Sequence, residues 1–273
     1  MTPIELIAID LDGTLLNSKH QLSKRNEGAV KKALERGVKV ILVTGKTHFS
    51  AKYLIETFGL KTPSIFNQGL VTALPNGDVT HQSLLDPAVA RYIITYAEEK
   101  GFDIAAYSGI RIFVKALNTW FEDLNRKYHE PMPEAVGDIR DILDKIPINK
   151  LLVLKEGEPQ KITELRAEFE VQLANKARVL QPSFGDMMEV LPPNTGKGAA
   201  LKTLLNDLGV HPENAMAIGD GENDIDMFHL VGFGVAMGNS WDIVKNAANI
   251  VVGTNDEDGV AQAIERFVLN GTS

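Results

Sequence analysis

Short apolar runs that end near glycine or acidic residues mark both ends of the chain. Residues 4–9, 38–43 and 215–218 form such runs, each with at most one polar residue inside it. A continuous apolar run of about four to eight residues is typical of a strand buried on both faces. Stretches with helical spacing lie between and beyond these runs, at residues 23–36, 47–58, 196–208, 225–230 and 257–269. The alternation predicts an α/β core, a doubly wound, Rossmann-like parallel sheet with helices on both faces.

Start and stop signals support the first of these helices. Ser23 stands where its side chain can cap the helix, and Gly37 stands where the helix should end. Further short strands are predicted at residues 64–66, 233–236 and 250–252.

The middle of the chain has a different order of elements. A helix that begins at Asp86 is followed by a predicted hairpin around Gly109. After the hairpin come a helix, a strand, a helix and two strands, at residues 119–127, 150–154, 158–175, 177–180 and 187–191. We therefore predict an inserted α+β domain at residues 83–191 and a core made of residues 1–82 and 192–273.

Two acidic residues follow the first predicted strand directly. Asp10 and Asp12 stand two residues apart in Asp-Leu-Asp-Gly-Thr, just after the apolar run of residues 4–9. One interpretation is a divalent metal site with a nucleophilic carboxylate beside it. The other is a solvated Asp-Gly turn.

Three further motifs supply what phosphoryl chemistry on a carboxylate requires. Thr44 and Gly45 follow the strand at residues 38–43 and offer a hydroxyl and a flexible amide to phosphate oxygens. Lys197 opens a helical stretch and places a cation near a helix N-terminus. The strand at residues 215–218 leads to the acidic segment 220–224. Because ligands of open α/β sheets bind at the carboxyl ends of the strands, we expect these motifs to meet in one site.

Taken in this order, the motifs resemble those of the haloacid dehalogenase-like phosphohydrolases, specifically the Cof-type branch, in which a large α/β cap is inserted in the core. The resemblance extends from residue 10 to the segment at residues 255–260. It implies that Asp10 is the nucleophile and that Asp12 is the general acid/base. It also implies the phosphate-binding residues Thr44, Gly45, Lys197 and Asn223, and a magnesium site formed by Asp10, Asp12, Asp220 and Asp224.

Two positions depart from the pattern of that branch. Lys46 stands where an arginine commonly follows the Thr-Gly pair, and this change should matter little. Asn67, Gln68 and Gly69 stand where an Asn-Gly pair is usual. Substrate contacts are therefore not carried over from that loop.

Composition and charge exclude several other classes of protein. The 273 residues, 44% hydrophobic and 23% charged, allow two globular domains, and a net charge of −8 provides no basic surface for nucleic acid. No apolar run reaches the ~18 residues of a membrane span, and no signal-peptide pattern opens the chain. The absence of cysteine excludes disulfides and a cysteine nucleophile and fits a cytoplasmic enzyme. The six histidines lack metal-ligand spacing, so surface or packing roles are expected for them.

The residues and the resemblance together predict a magnesium-dependent phosphatase that hydrolyses a small phosphorylated metabolite through an aspartyl-phosphate. The resemblance makes a sugar phosphate the first choice of substrate, with pyridoxal phosphate or flavin mononucleotide behind it. A phosphomutase of the same fold would use the same residues but return the phosphoryl group to the substrate. A sensor that binds without turnover has no need of Asp12, because binding alone requires no general acid.

The inserted domain is expected to choose the substrate. Tyr107 and Arg111 flank the turn of its predicted hairpin and are the candidate substrate contacts. The alternative for both residues is an ordinary exposed hairpin.

Overall fold

A computed structural model describes residues 3–181 and 185–270 of the chain. Its strands are β1 (Leu6–Ile9), β2 (Lys39–Leu42), β3 (Ser64–Phe66), β4 (Val71–Ala73), β5 (Val79–Gln82), β6 (Asp103–Ser108), β7 (Arg111–Val114), β8 (Glu134–Ala135), β9 (Lys150–Leu154), β10 (Arg178–Leu180), β11 (Met187–Leu191), β12 (Ala215–Gly219), β13 (Phe233–Ala236) and β14 (Ile250–Val251). Its α-helices are α1 (Lys24–Glu35), α2 (His48–Phe58), α3 (Pro87–Glu99), α4 (Thr119–Tyr128), α5 (Pro159–Gln172), α6 (Lys197–Asp207), α7 (Ile225–Leu230), α8 (Asp242–Ala247) and α9 (Gly259–Ile264).

These elements form two compact units. The first consists of the described residues within 1–46, 51–80 and 196–273, and the second of those within 47–50 and 81–195. Within the described ranges, no helix has both the length and the apolar character needed to cross a membrane.

Strand β1 lies inside the parallel sheet of the first unit. The strands pair in the order β14-β13-β12-β1-β2, and Leu6 of β1 lies opposite Ala215 of β12. Alternate side chains of β1 enter opposite cores. Ile7 and Ile9 pack with residues of α1, α2 and α9, whereas Leu6 and Ala8 pack with residues of α6 and α7. Burial on both faces explains the continuous apolar run, and the predicted doubly wound sheet is confirmed.

Helix α1 begins and ends where the sequence signals predict. The side chain of Ser23 accepts a hydrogen bond from the amide of Asn26 at 3.0 Å. Gly37 follows the C-cap with φ of 82°, a left-handed conformation that glycine adopts at little cost. Local chemistry is therefore enough to delimit this element.

Three short strands, β4, β5 and β8, were not predicted from the sequence. β4 pairs with β3 in an antiparallel ladder, and β5 adds to the same small sheet with every residue exposed. β8 contains two residues and pairs in parallel with β7. Pairing with a neighbour, rather than local composition, makes these segments strands.

The second unit is built on one mixed sheet. Its strands lie in the order β10-β11-β9-β6-β7-β8, and the pairs are antiparallel apart from β7 with β8. Ile93 of α3 and Phe169 of α5 belong to a hydrophobic core on one face of this sheet. Tyr107 of β6 and Phe121 of α4 belong to a smaller core formed by the alternate residues of the strands.

The C-terminal segment differs from its prediction. The pattern predicts one helix over residues 257–269, whereas the structure has a 3₁₀ turn at Asn255–Glu257, then α9, then a π-helical stretch at Glu265–Leu269. The carboxylate of Glu257 accepts hydrogen bonds from the amide and hydroxyl of Thr254 at 2.9 and 3.0 Å. Asp258 has φ of 59°, a left-handed conformation that interrupts a right-handed helix. The α-helix therefore begins only at Gly259.

Candidate active site

Three neighbouring strands of the parallel sheet end at the same edge, and each is followed by a predicted site residue. Asp10 directly follows β1, Thr44 follows β2 after one intervening residue, and Asp220 directly follows β12. β1 lies between the other two strands. The topology therefore collects groups from distant parts of the chain.

Lys197 joins two of the acidic motifs. It is the first residue of α6 and is 2% exposed. Its Nζ lies 2.6 Å from Oδ1 of Asp10 and 2.7 Å from Oδ1 of Asp224. Burial opposes the charge of Lys197, but the two carboxylates outweigh it and raise its pKa above the ordinary value. The lysine is therefore a fixed cation between two carboxylates.

A close approach of two backbone segments places the start of α6. Gly69 has φ of 93°, and a Cβ atom added there would lie 2.3 Å from the carbonyl oxygen of Gly196. No side chain fits that space. A larger residue at position 69 would displace the turn from which Lys197 enters the site.

The two buried acids and the half-buried Asp220 offer more negative charge than Lys197 balances. Asp10, Asp220 and Asp224 each offer a carboxylate oxygen, and these oxygens all lie within 4.8 Å of one another. Burial, together with the neighbouring carboxylates, raises the pKa of Asp10 well above its ordinary value, although Lys197 opposes the shift. Burial and the charge of Asp224 raise the pKa of Asp220 to about 6. Clustered carboxylate oxygens with excess negative charge fit a hard divalent cation such as magnesium.

Hydrogen bonds hold Asp220 and Asp224 in different ways. Oδ2 of Asp224 accepts the amides of Asp220 and Gly221 at 3.0 and 2.9 Å, while its Oδ1 binds Lys197. Both oxygens of Asp224 are thus engaged within the protein. Oδ1 of Asp220 accepts a hydrogen bond from the hydroxyl of Thr14 at 2.8 Å.

Asp12 occupies a more open position than Asp10. Its side chain is 37% exposed. Its Oδ1 lies 3.1 Å from Nδ1 of His20 and 3.2 Å from Nζ of Lys46. His20 therefore contacts a predicted site residue, and the surface or packing role expected for it stays a prediction. The sequence flagged Lys46 only as a departure of little consequence, and no spacing rule pointed to His20.

Gln68 connects the loops of Thr44 and Asn223. Oγ1 of Thr44 accepts the amide of Lys46 at 3.1 Å, and the Thr44 carbonyl accepts the amide of Gln68 at 3.1 Å. Oε1 of Gln68 accepts a hydrogen bond from Nδ2 of Asn223 at 2.8 Å. A Cβ atom at Gly45 would lie 2.5 Å from Nε2 of Gln68, so this side chain fills the space that glycine leaves. The departure from the usual loop pattern is therefore part of the site.

Asn239 adds a contact from a further strand end. Its Nδ2 donates a hydrogen bond to the carbonyl of Gly13 at 2.8 Å and lies 3.5 Å from Oδ2 of Asp220. A Cβ atom at Gly13, where φ is 77°, would lie 2.3 Å from that same oxygen. The turn after β1 thus requires glycine in order to approach Asp220.

The candidate contacts of the inserted domain lie in the second unit. Tyr107 is 5% exposed, and burial, with the charges of Glu130 and Glu189, raises its pKa well above the ordinary value. Arg111 is exposed and donates two hydrogen bonds to Glu134, at 2.8 and 2.7 Å. Both side chains have partners inside this unit, and their contact with substrate stays a prediction.

The raised pKa of Asp220 predicts a pH-dependent stability of the metal-free protein. The folded state holds this proton more tightly than an unfolded chain with a pKa of 3.8, so the stability is greatest at low pH and decreases as the pH rises through about 6. In EDTA at about pH 7.5, Asp220→Asn should raise the free energy of unfolding by about 2 to 3 kcal/mol. The amide removes the charge yet keeps an oxygen for Thr14.

Urea unfolding at several pH values would measure this effect. The gain in unfolding free energy should fall to a small value near pH 4, because the folded wild-type protein is then neutral at position 220, as the variant is. Asp78→Asn, at an exposed position of the same unit, is the matched control and should change little. A gain that is constant with pH would show that Asp220 carries no shifted proton.

Sequence comparison identifies the class of this protein. The family model for haloacid dehalogenase-like hydrolases matches residues 7–264, so the chain belongs to that family. The 5-amino-6-(5-phospho-D-ribitylamino)uracil phosphatase YcsE of Bacillus subtilis is 34% identical over 272 residues, which cover 97% of this chain and 96% of the relative. The expected Cof-type membership is confirmed, and the chain is a phosphatase of this family.

Two further similarities define how far the relationship extends. The chloroplastic endoribonuclease YBEY of Arabidopsis thaliana is 36% identical over 272 residues, but these cover 96% of this chain and 46% of that protein. The chain thus spans about half the length of that relative. A haloacid dehalogenase-like hydrolase from Bacteroides thetaiotaomicron has a crystal structure that superposes with a TM-score of 0.85, at 29% identity, covering 97% of this chain and 99% of the other.

Proposed function

We propose that the protein is a magnesium-dependent phosphatase that hydrolyses a small phosphorylated metabolite through an aspartyl-phosphate on Asp10. The observation that carries the proposal is the contrast between two carboxylates. Asp10 is buried against Lys197 at 2.6 Å, whereas Asp12 is partly exposed and contacts two nitrogen groups. Environments that differ in this way suit a nucleophile and a proton-transfer group.

In the first step, a carboxylate oxygen of Asp10 forms a bond to phosphorus while the bond from phosphorus to the ester oxygen breaks. The electron pair of that bond goes to the leaving oxygen, which takes a proton from the carboxyl group of Asp12. The products are the alcohol, the acyl phosphate on Asp10 and the carboxylate of Asp12.

In the second step, Asp12 acts as the base. Its carboxylate takes a proton from water as the water oxygen bonds to phosphorus. The bond from phosphorus to Asp10 breaks, and its electron pair restores the Asp10 carboxylate. Inorganic phosphate leaves, and both aspartates regain their starting states.

The remaining residues of the site stabilise negative charge. We assign Thr44, Gly45, Lys197 and Asn223 to the phosphate oxygens, because hydroxyl, amide and ammonium groups stabilise the charge on a transferring phosphoryl group. Magnesium would be held by Asp10, the backbone carbonyl of Asp12 and Asp220, with Asp224 supporting this set. When bound, it offsets the repulsion between these carboxylates and an anionic substrate.

We infer that the substrate is a sugar phosphate. The B. subtilis relative acts on a compound that carries its phosphate on a D-ribityl group, which is a polyhydroxylated chain. Pyridoxal phosphate and flavin mononucleotide are the alternatives. Selection among them is assigned to the insert at residues 83–191, with Tyr107 and Arg111 as its candidate contacts.

Phosphate release from a panel of phosphorylated metabolites tests the proposal. The panel should contain ribose 5-phosphate, pyridoxal phosphate, flavin mononucleotide and p-nitrophenyl phosphate, each with magnesium and with EDTA. We expect one metabolite to be preferred, and release to stop in EDTA and resume when magnesium is added in excess. Full activity in EDTA would show that the reaction does not require magnesium. Accumulation of a substrate isomer would identify a phosphomutase.

Asp12→Asn and Asp220→Asn should lose activity in different ways. Asp12→Asn should lower kcat at every magnesium concentration by about 100-fold or more, because an amide cannot exchange the proton. Asp220→Asn should raise the magnesium concentration needed for half-maximal activity, because a neutral oxygen is a weaker ligand. Magnesium titrations of kcat separate the two outcomes. Equal magnesium requirements in both variants would contradict the division of roles.

A further inference from the structure

Two nitrogen groups meet the same oxygen of Asp12. Nδ1 of His20 lies 3.1 Å from Oδ1 of Asp12, and Nζ of Lys46 lies 3.2 Å from that same atom. The two groups come from different loops, since His20 follows β1 and Lys46 follows β2. The lysine side chain is 10% exposed and the histidine side chain 27% exposed. The two oxygens of Asp12 are therefore in different environments.

The backbone of His20 lies in the left-handed region. Its φ is 56°, where glycine has no steric cost. Asn17 shapes the turn, because its Oδ1 accepts the amides of Lys19 and Gln21, each at 3.0 Å. The amide of Ser18 donates to Asp256 at 2.9 Å. The turn that carries His20 is therefore held at several points, which keeps its side chain beside Asp12.

We propose that His20 and Lys46 are positioning residues that hold Oδ1 of Asp12 and so reserve Oδ2 for proton exchange with the reacting oxygens. The proposal rests on the proposed function, because it assigns a role within the same reaction. In the tautomer with its proton on Nδ1, His20 donates to Oδ1, and Lys46 donates to it as well. Two donors on Oδ1 fix the orientation of the carboxyl group and engage that oxygen, so proton exchange is assigned to Oδ2.

The consequence for the reaction is specific to proton transfer. The Oδ2 proton passes to the leaving oxygen as the ester bond breaks, and Oδ2 later takes a proton from the attacking water. Loss of the two contacts lets the carboxyl group rotate, so the proton is misplaced while Asp10 still attacks phosphorus. An alcohol leaving group needs this proton, whereas p-nitrophenolate departs without it.

The test measures kcat/KM on two substrates, because kcat/KM reports the steps up to formation of the acyl phosphate. The substrates are p-nitrophenyl phosphate and ribose 5-phosphate, or the alkyl phosphate that the wild-type enzyme hydrolyses fastest in the panel above. The variants are His20→Gly and Lys46→Met, which remove a donor, and His20→Asn and Lys46→Arg, which keep one. Asn suits the left-handed backbone and places a side-chain amide where Nδ1 lies.

For His20→Gly and Lys46→Met, we expect kcat/KM on the alkyl phosphate to fall by about 100-fold and that on p-nitrophenyl phosphate by less than about 10-fold. With p-nitrophenyl phosphate, both variants should release one equivalent of p-nitrophenolate rapidly and then turn over slowly, because hydrolysis of the acyl phosphate still needs Asp12 as base. His20→Asn and Lys46→Arg should restore most of the alkyl phosphatase activity.

Stability measurements separate positioning from folding. His20→Gly should melt no lower than the wild-type protein, because glycine relieves the left-handed backbone. His129→Gly is the matched control, since His129 also has φ of 56° but lies in the second unit. It should leave hydrolysis of p-nitrophenyl phosphate unchanged.

Three outcomes would overturn the proposal: an equal fall on both substrates, an unaffected alkyl phosphatase activity in His20→Gly, or no restoration by His20→Asn. Failure of the proposed function is distinguishable from these, because it would appear in the wild-type enzyme as an absence of magnesium-dependent phosphate release. Failure of the positioning role appears only in the variants.

Discussion

Asp10→Asn should abolish phosphatase turnover, with kcat falling by about 10⁴-fold or more, because an amide cannot form the acyl phosphate. The fold should persist. The pKa of Asp10 is raised by burial and by its acidic neighbours, so removing its charge relieves repulsion in the metal-free protein. We expect the melting temperature in EDTA to equal or exceed that of the wild-type protein.

Acid-quenched reactions with ³²P-labelled substrate provide the direct measurement. The wild-type protein should retain acid-stable radioactivity as the acyl phosphate, and Asp10→Asn should retain none. Asp78→Asn is the matched control, an exposed aspartate of the same unit, and should react like the wild type. Labelled protein from Asp10→Asn at wild-type levels would place the nucleophile elsewhere.

Lys197→Met should be the most destabilising of the substitutions considered. It removes the cation that lies 2.6 Å from Asp10 and 2.7 Å from Asp224 and leaves those carboxylates buried without it. Removing one partner of a buried ion pair costs about 3 to 5 kcal/mol, and we expect a loss in that range in EDTA near neutral pH. Turnover should also be lost, because the cation that we propose to bind phosphate is missing.

Two further variants distinguish an electrostatic cause from a packing defect. Lys202→Met changes an exposed lysine of the same helix and should alter the unfolding free energy by less than about 0.5 kcal/mol. Adding Asp224→Asn to Lys197→Met should recover part of the lost stability, because it removes one of the unbalanced charges. If the double variant were less stable than Lys197→Met alone, charge imbalance would not explain the loss.

Local sequence determined the elements whose signals lie within a few residues. Ser23 and Gly37 delimit α1 through a side-chain cap and a left-handed glycine, both of which are properties of the nearby chain. The apolar run around Ile7 and Ile9 predicted a strand buried on both faces, because a strand with one face in solvent would alternate apolar and polar residues. The order of these elements was enough to predict the doubly wound sheet, whereas the family was inferred from the resemblance of the motifs at Asp10, Thr44 and Lys197.

Sequence also indicated the acids and Lys197 as members of one site, because parallel strands present their carboxyl ends at one edge. It did not indicate that Lys197 would be almost fully buried between Asp10 and Asp224. Burial depends on what the rest of the fold places around a side chain. The raised pKa of Asp220 has the same origin, since burial and Asp224 together produce it.

Only the tertiary structure decided which side chains meet across loops. His20 meets Asp12 through a turn held by Asn17, and Gln68 meets Asn223 across 155 positions. No spacing rule encodes such contacts, because they depend on the paths of separate loops. The same reason applies to the short strands β4, β5 and β8, which exist through pairing with neighbours. Sequence therefore determined the framework and indicated the candidate site residues, while packing decided their surroundings and the side chains that contact them.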